Sequence, residues 1–574
     1  VRIKDEVARR RLSFKRAGWL ALAALAAAGS SQAQSVDGAT RQWLRQQERE
    51  RALRERQAAT PDVRMERAVE APDRVPAQES PCFAIRAIRL DGDDARHFQW
   101  ALDAANPRAD PATGKCLGTT GINIVLKRVQ NAVIARGYVT TRVLAAEQDL
   151  RSGVLVLTVV PGRIRSVRFA AGIDARATSW QGALHARPGD LLNLRDIEQA
   201  LENFKRIPGV DADIQILPAD GAAGPGESDL VIVWRQAAKA RFGVTLEDSG
   251  VEATGRMQGA ATLSLDNLLT LNDLFYGHFG QDIFEGRRKG TRSYTLHYAV
   301  PYGYWLLGAT ASAYTYRQTV AGYAANYVYS GSSHSADIKL GRLLYRNAAI
   351  KAGAYLRAWE RDSNNFIDDT EVLVQRRRQG GWEAGLNYKQ FIGAGTVDAD
   401  VSYRRGTGAF NALRAPEEDF GEGTARAGII AAGATVIAPM PWGSQHFRYI
   451  GSGRVQWNRQ RLVPQDRFAI GGRYTVRGFQ GDIQLTGDRG WFVRSDVGWI
   501  MGTANELYLG ADVGHVSGSP SQWPAGHTLA GAVLGVRGDR HGLAWDVFAG
   551  TPIRKPRNFQ AGRLAAGFSL SWSL

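Results

Sequence analysis

The chain has 574 residues, more than one ordinary domain holds, with 64 glycines, 15 tryptophans and 18 tyrosines. Its 72 basic and 56 acidic side chains leave a formal net charge of +16, but the basic residues are spread along the chain rather than gathered in one block, which argues against nucleic acid as a partner. No run of about 18 apolar residues follows residue 35, which excludes a membrane-crossing helix there but not a membrane β-barrel, whose strands alternate between lipid and water and so escape any average of hydropathy.

Residues 1–33 read as an export signal. Arg9 to Arg16 is basic, Ala17 to Ala28 is a short apolar run, and Ser31-Gln32-Ala33 has the small-x-Ala form of a cleavage site. A mature chain beginning near Gln34 would work outside the cytoplasm, where disulfides persist. Residues 34–59 follow. From Thr40, a fair N-cap, the pattern is helical, and Arg41, Arg45, Arg49, Arg51, Arg54 and Arg56 alternate with glutamines and glutamates. Glu50 and Arg54 are spaced for an i,i+4 pair. Such a helix is polar all round and has no core to dock on. Two readings stand: a charged tail, or a rod in a water-filled bore, where about 18 helical residues would span roughly 27 Å. Residues 60–80, with Pro61, Pro72 and Pro76, form a linker.

Residues 81–164 open on a strand from Cys82 to Gly92. Cys116 is the only other cysteine, and two cysteines in an exported chain most simply form one disulfide. Two thiols without clustered histidines do not suggest a metal, and there is no C-x-x-C for redox work. Ile124 to Ala135 has helical spacing, and strands follow at Tyr138–Val143 and Val154–Val160. Residues 165–238 repeat the order: a strand from Val167, a helix from Leu194 to Ile207, and strands at Ile214–Leu217 and Leu230–Trp234. A repeat of about 75 residues means two copies of a small α+β module.

From 239 to 574 the helical pattern gives way to alternation. Val397, Ala399, Val401 and Tyr403 interleave with Asp398, Asp400, Ser402 and Arg404, which places the two sets on opposite faces of a strand. At roughly 40 residues per hairpin this stretch holds about sixteen strands, and the aromatic-rich apolar face favours a membrane barrel over a soluble sandwich. In Leu507 to Gly514 the same parity sends Leu507, Leu509, Ala511 and Val513 to lipid and Tyr508, Gly510, Asp512 and Gly514 to the lumen. The stretch 468–482 concentrates glycines, two arginines and two aromatics between strands. It is not a nucleotide loop, since no Gly-Lys-Ser/Thr follows. The nine histidines are scattered, and none stands beside a convincing nucleophile.

Several motifs carry a resemblance. Val476-Arg477-Gly478-Phe479 resembles the in-folded-loop signature of outer-membrane translocators that join periplasmic POTRA domains to a β-barrel. Asn131–Val143 and Leu155–Ile164 resemble the first POTRA domain of two-partner secretion translocators, and the Cys82/Cys116 pair resembles their haemolysin-activator and contact-dependent-inhibition branch. The segment Gly341-Arg342-Leu343-Leu344-Tyr345-Arg346 matches a motif many members carry.

The resemblance implies a transmembrane β-barrel of about sixteen antiparallel strands in the outer membrane of a Gram-negative bacterium. Two α+β POTRA domains in the periplasm (81–164 and 165–238) and an N-terminal plug helix bearing Arg45, Arg49, Glu50 and Arg54 precede it. It implies a loop–barrel lock between Arg477 and Asp512, flanked by Val476, Gly478 and Phe479. It further implies a monomeric pore, inserted by the barrel-assembly machinery, that exports one large unfolded exoprotein: a haemolysin, an adhesin or a contact-dependent toxin. Neither cofactor, metal nor enzymatic activity belongs to this reading. Tyr138, Arg142, Leu194 and Leu201 are the expected partner-facing residues, and Leu574 in place of the usual terminal Phe is expected to slow insertion. The alternative is a barrel insertase of the same superfamily. That relative carries more POTRA copies and lacks an Arg/Gln-rich helix.

Overall fold

The structure, a computed structural model, describes residues 40–57, 61–65, 74–174, 176–219, 224–285, 289–323, 325–518 and 526–574. The export signal expected over residues 1–33 lies outside them.

The first α+β module builds a three-stranded sheet from Ala87–Gly92, Val154–Val160 and Arg142–Leu144, in that spatial order. The first two strands run parallel and the third is antiparallel. Val154–Val160 alternates buried and half-buried residues, because its inner face meets the helix Thr119–Ala135 through Val125, Val129 and Val133. Cys82 and Cys116 are joined across two short paired strands, with Cα atoms 5.3 Å apart.

The second module repeats this topology with Arg163–Phe169, Glu227–Gln236 and Val210–Pro218. Its first strand starts at Arg163, so the expected boundary at 164 moves back: Arg163 and Ile164 already pair with Glu227 and Ser228. The helix Leu194–Lys205 is capped by Asn193, whose side chain accepts from the Arg195 amide at 2.9 Å. Leu194, Ile197, Leu201 and Phe204 recur at helical spacing and sink into the core. This corrects the expectation for Leu194 and Leu201. At 6% and 3% exposure they hold the helix on its own sheet rather than facing outward.

Residues 240–573 form a closed barrel of sixteen antiparallel wall strands, from Ala240–Glu247 to Ala565–Ser573. The last pairs with the first, Ser573 opposite Gly243. About 9–11 residues suffice to cross a bilayer, so the 21-residue sixth strand, Asn326–Arg346, extends well beyond it. Outward positions are apolar: on the thirteenth strand, Asn505–Ser517, Leu509 is 64% exposed while Tyr508 and Asp512 are buried.

Two short turns seat the barrel on the second module. Asn267 Nδ2 donates to the Ala177 carbonyl at 2.7 Å, and Asn203 Nδ2 to the Gly303 carbonyl at 2.8 Å. The Tyr304 hydroxyl donates to Asp196 at 2.6 Å. Burial pushes the Asp196 carboxyl up despite that bond.

Candidate functional site in the barrel bore

The connection between the eleventh and twelfth strands, Gln445–Asn458 and Arg489–Met501, folds back into the bore. It covers residues 459–488, longer than the 468–482 expected. Phe468–Ile470 pairs with Leu485–Gly487, and Phe468, Ile470, Val476, Phe479 and Leu485 pack on Phe492, Val516, Leu529 and Phe559. Arg477 stands at its tip, 3% exposed. Its Nε donates to Asp512 Oδ2 at 2.7 Å and its Nη2 to Asp512 Oδ1 at 2.8 Å, while its own amide donates to Oδ2 at 2.9 Å. The remaining guanidinium edge bonds Asp496, through Nη1 at 3.2 Å and through Nη2. One planar fork thus serves two buried carboxylates, a geometry a lysine cannot reproduce.

Glycines make the close approach possible. Gly478 has φ +93°, and a Cβ there would stand 2.6 Å from the Thr551 carbonyl oxygen. A Cβ on Gly531 would meet the Arg477 carbonyl oxygen at 2.0 Å. Asp496 and Gly531 were not anticipated. Asp496 shares the inward parity of Phe492 and Arg494, the outward set being Trp491, Val493, Val497 and Trp499, so the rule that singled out Asp512 also reaches it.

The second filling of the bore is the helix 40–57. Gln42 Nε2 donates to Thr254 Oγ1 at 2.9 Å, Arg49 Nη1 to Gln258 Oε1 at 2.9 Å, and Arg454 Nη1 to Glu48 at 2.9 Å. Arg45 lies beside the in-folded loop: a Cβ on Gly481 would stand 3.4 Å from its Nη2. The expected Glu50–Arg54 ion pair is not the contact formed. The Glu50 carboxylate accepts from Gln46 Nε2 at 3.1 Å, whereas Arg54 Nε donates to the Glu50 carbonyl and its Nη1 lies 3.8 Å from Asp337.

Just beyond the helix, residues 61–65 are bolted to the second α+β module and to the barrel at once. The amides of Val63 and Met65 donate to Glu202 and Glu198 at 2.9 and 2.8 Å. Arg346, the last residue of the sixth wall strand, gives Nε to Glu198 at 3.0 Å, and Nη2 to Glu202 at 2.9 Å and to the Val63 carbonyl at 2.5 Å. Lys351 reaches Asp62 and Glu202 at 2.6 and 2.7 Å. Burial alone would raise the Asp62 carboxyl, but Lys351 and Lys389 outweigh it and hold it below its ordinary value.

The barrel is closed, its bore holds both an arginine-locked loop and a polar helix, and two modules of the same topology lie below it. Residues 226–538 match the sequence profile described as haemolysin secretion/activation protein ShlB/FhaC/HecB. The chain belongs to this family. Residues 83–162 match the ShlB-type POTRA domain and 163–218 a further POTRA domain, which agrees with the boundary at Arg163. The outer membrane transporter CdiB-2 of Burkholderia pseudomallei (strain 1026b) is 35% identical over 547 residues, covering 92% of either chain. The outer membrane transporter CdiB of Dickeya dadantii (strain 3937) is 27% identical over 549 residues, covering 94% of this chain and 95% of its own. The solved structure of CdiB from Acinetobacter baumannii matches with a TM-score of 0.83 at 28% identity, over 94% of this chain and 99% of that one.

In the first POTRA domain of this ShlB/FhaC/HecB member, Tyr138 and Arg142 sit apart from the bore. The Tyr138 hydroxyl lies 2.7 Å from His97 Nε2. Arg142 and Leu144 are exposed on a strand that pairs on one side only. Among the described residues no group of His, Cys, Asp and Glu is arranged to hold a metal ion.

Proposed function

We propose that this chain exports one large secreted partner protein across the outer membrane by two-partner secretion, with the helix 40–57 as a removable plug and the Arg477 lock as a fixed part of the bore. The partner is a haemolysin, adhesin or contact-dependent toxin that arrives unfolded, and no catalytic step belongs to this reading. The observation that carries it is the helix itself: a rod without an apolar face, seated in a barrel lumen by polar contacts that water can replace.

The edge strand Arg142–Leu144 offers unpaired backbone groups and exposed Leu144, which suit the addition of an extended segment with little demand on its sequence. Tyr138 and Arg142 border that edge. Movement of the second POTRA domain on binding would reach the plug through the linker bonds of Glu198 and Glu202. The pore acts as a monomer, inserted by the barrel-assembly machinery.

Planar-bilayer conductance tests the plug. The full chain should be mostly closed, and the chain lacking residues 40–57 should conduct steadily. Equal conductance of the two would remove the helix from the mechanism.

A further inference from the structure

The in-folded loop has a second charged attachment, of opposite polarity and on a different part of the wall. Asp466 lies eleven positions before Arg477 and is 8% exposed. Its Oδ1 accepts from Arg361 Nη2 and from Arg404 Nη2, both at 2.8 Å, and its Oδ2 accepts from Gln379 Nε2 at 3.3 Å. Its carbonyl accepts from Gln456 Nε2 at 2.9 Å. Arg361, Gln379 and Arg404 belong to the seventh, eighth and ninth wall strands, whereas Asp496 and Asp512 belong to the twelfth and thirteenth. The loop therefore gives an anion to one part of the wall and a cation to another. Two guanidinium groups converge on Asp466, and without it they would face each other with no counter-charge between them.

The same site touches the plug. The guanidinium carbon of Arg361 lies 5.1 Å from the ring centre of Trp43, on the helix 40–57. Departure of the helix takes that ring away and admits water to Arg361, which weakens a buried ion pair by raising the local dielectric.

We propose that Asp466 is a positioning residue that holds the in-folded loop across the bore, and that Arg361 makes this hold depend on the presence of the plug helix. Arg477 is then one end of a strut rather than the single peg of a hanging loop. Removal of the plug loosens the Asp466 end while Arg477 and the apolar packing of Phe468 and Ile470 stay fixed, so the stretch around Asp466 lifts from the seventh to ninth wall strands. This rests on the export reading above.

The test reads loop position directly. Gln465 Nε2 lies 3.1 Å from Ser363 Oγ, next to the anchor. The two native cysteines are already joined, so Ser363→Cys with Gln465→Cys introduces the only free pair. In the full-length chain this pair should close readily into a disulfide. Adding Asp466→Asn should slow closure about tenfold, Arg361→Gln should do the same, and the two together should do no more than either alone. Asp466→Glu should recover most of the rate, and deletion of residues 40–57 should slow it. Unchanged closure in both Asp466→Asn and Arg361→Gln overturns the anchor. Equal losses in Asp466→Glu and Asp466→Asn overturn its charge as the cause. Closure untouched by the deletion overturns the dependence on the plug. Because closure needs no exported partner, a failure of export in the unaltered chain would count against the proposed function alone.

Discussion

Removing the guanidinium of Arg477 gives the sharpest test of the loop lock. Four side-chain hydrogen bonds vanish in Arg477→Ala, two to Asp512 and two to Asp496. Asp512, with its side chain fully buried, keeps only the amide of residue 477 from the loop, and Asp496 keeps a 3.4 Å contact to Arg537. Breaking a buried ion pair from one side costs about 3–5 kcal/mol, because the stranded charge keeps its desolvation penalty. About 4 kcal/mol shifts the balance between docked and undocked loop roughly a thousandfold toward undocking. The wall strands keep their own hydrogen bonds, so Arg477→Ala should still insert and migrate as a heat-modifiable barrel while export of the partner falls to background. Arg477→Lys keeps a charge but loses the fork, and should retain partial export. Asp512→Asn should be more severe than Asp496→Asn, since only Asp512 also binds the loop backbone. Export by Arg477→Ala at the unaltered level would refute the reasoning.

A steric route to the same defect is Gly531→Ala. Its Cβ would fall 2.0 Å from the Arg477 carbonyl oxygen, so the loop must lift although no charge is lost; full export by this variant would show that the loop's seat is not needed. Arg346→Ala takes one of two cations from each of Glu198 and Glu202, which keep Arg195 and Lys351, and removes a donor from the Val63 carbonyl, so it loosens the linker at a cost of about 1–3 kcal/mol. It should raise the frequency of open events in planar bilayers, and an unchanged frequency would detach the latch from gating. Asp110, in the first POTRA domain, ionises well below its ordinary range because Lys115, the Val75 amide and Arg128 hold the anion. A carboxyl depressed on folding adds stability above its unfolded value, near about 4, and loses it as pH falls through the folded value. Amide protection around Val75 and Arg128, taken relative to the intrinsic rate at each pH, should therefore fall once the pH drops below about 4, and Asp110→Asn should show reduced protection already at neutral pH with no acid step.

Much of the barrel was legible because one rule governs it. Alternation decides which side chain faces lipid, and that rule carried the inward placement of Asp512 from sequence to structure. It fails where two rules compete for one helix. Leu194 and Leu201 looked like a presenting surface, but an amphipathic helix spends its apolar stripe on its own sheet. Here the flank beside that stripe, with Glu198 and Glu202, makes the outside contacts. The linker latch left no local trace, since it joins residues 62–65, 198–202 and 346–351, which no periodicity relates. The Glu50–Arg54 spacing suited an isolated helix in water, whereas in the bore each side chain found a different partner.

The ion pairs that hold the two fillings of the bore differ in strength. The plug's ion pairs are partly exposed: Glu48 and Arg454 are 29% and 28% accessible, and Arg54 is 37% accessible at 3.8 Å from Asp337. Each such pair contributes on the order of 0–1 kcal/mol. The loop's lock is nearly dry, with Arg477 at 4% and Asp512 at 0%, and losing it costs several times as much. A perturbation strong enough to free the helix therefore leaves the Arg477 end of the loop in place. The partners that hold Val63 and Met65 are as dry as the lock, with Arg346 at 3% and Glu198 at 0%, although Asp62 is 27% accessible. The helix's ion pairs to the bore are thus weaker than its tether, and we expect any release of the helix to depend on the second POTRA domain, which grips residues 62–65.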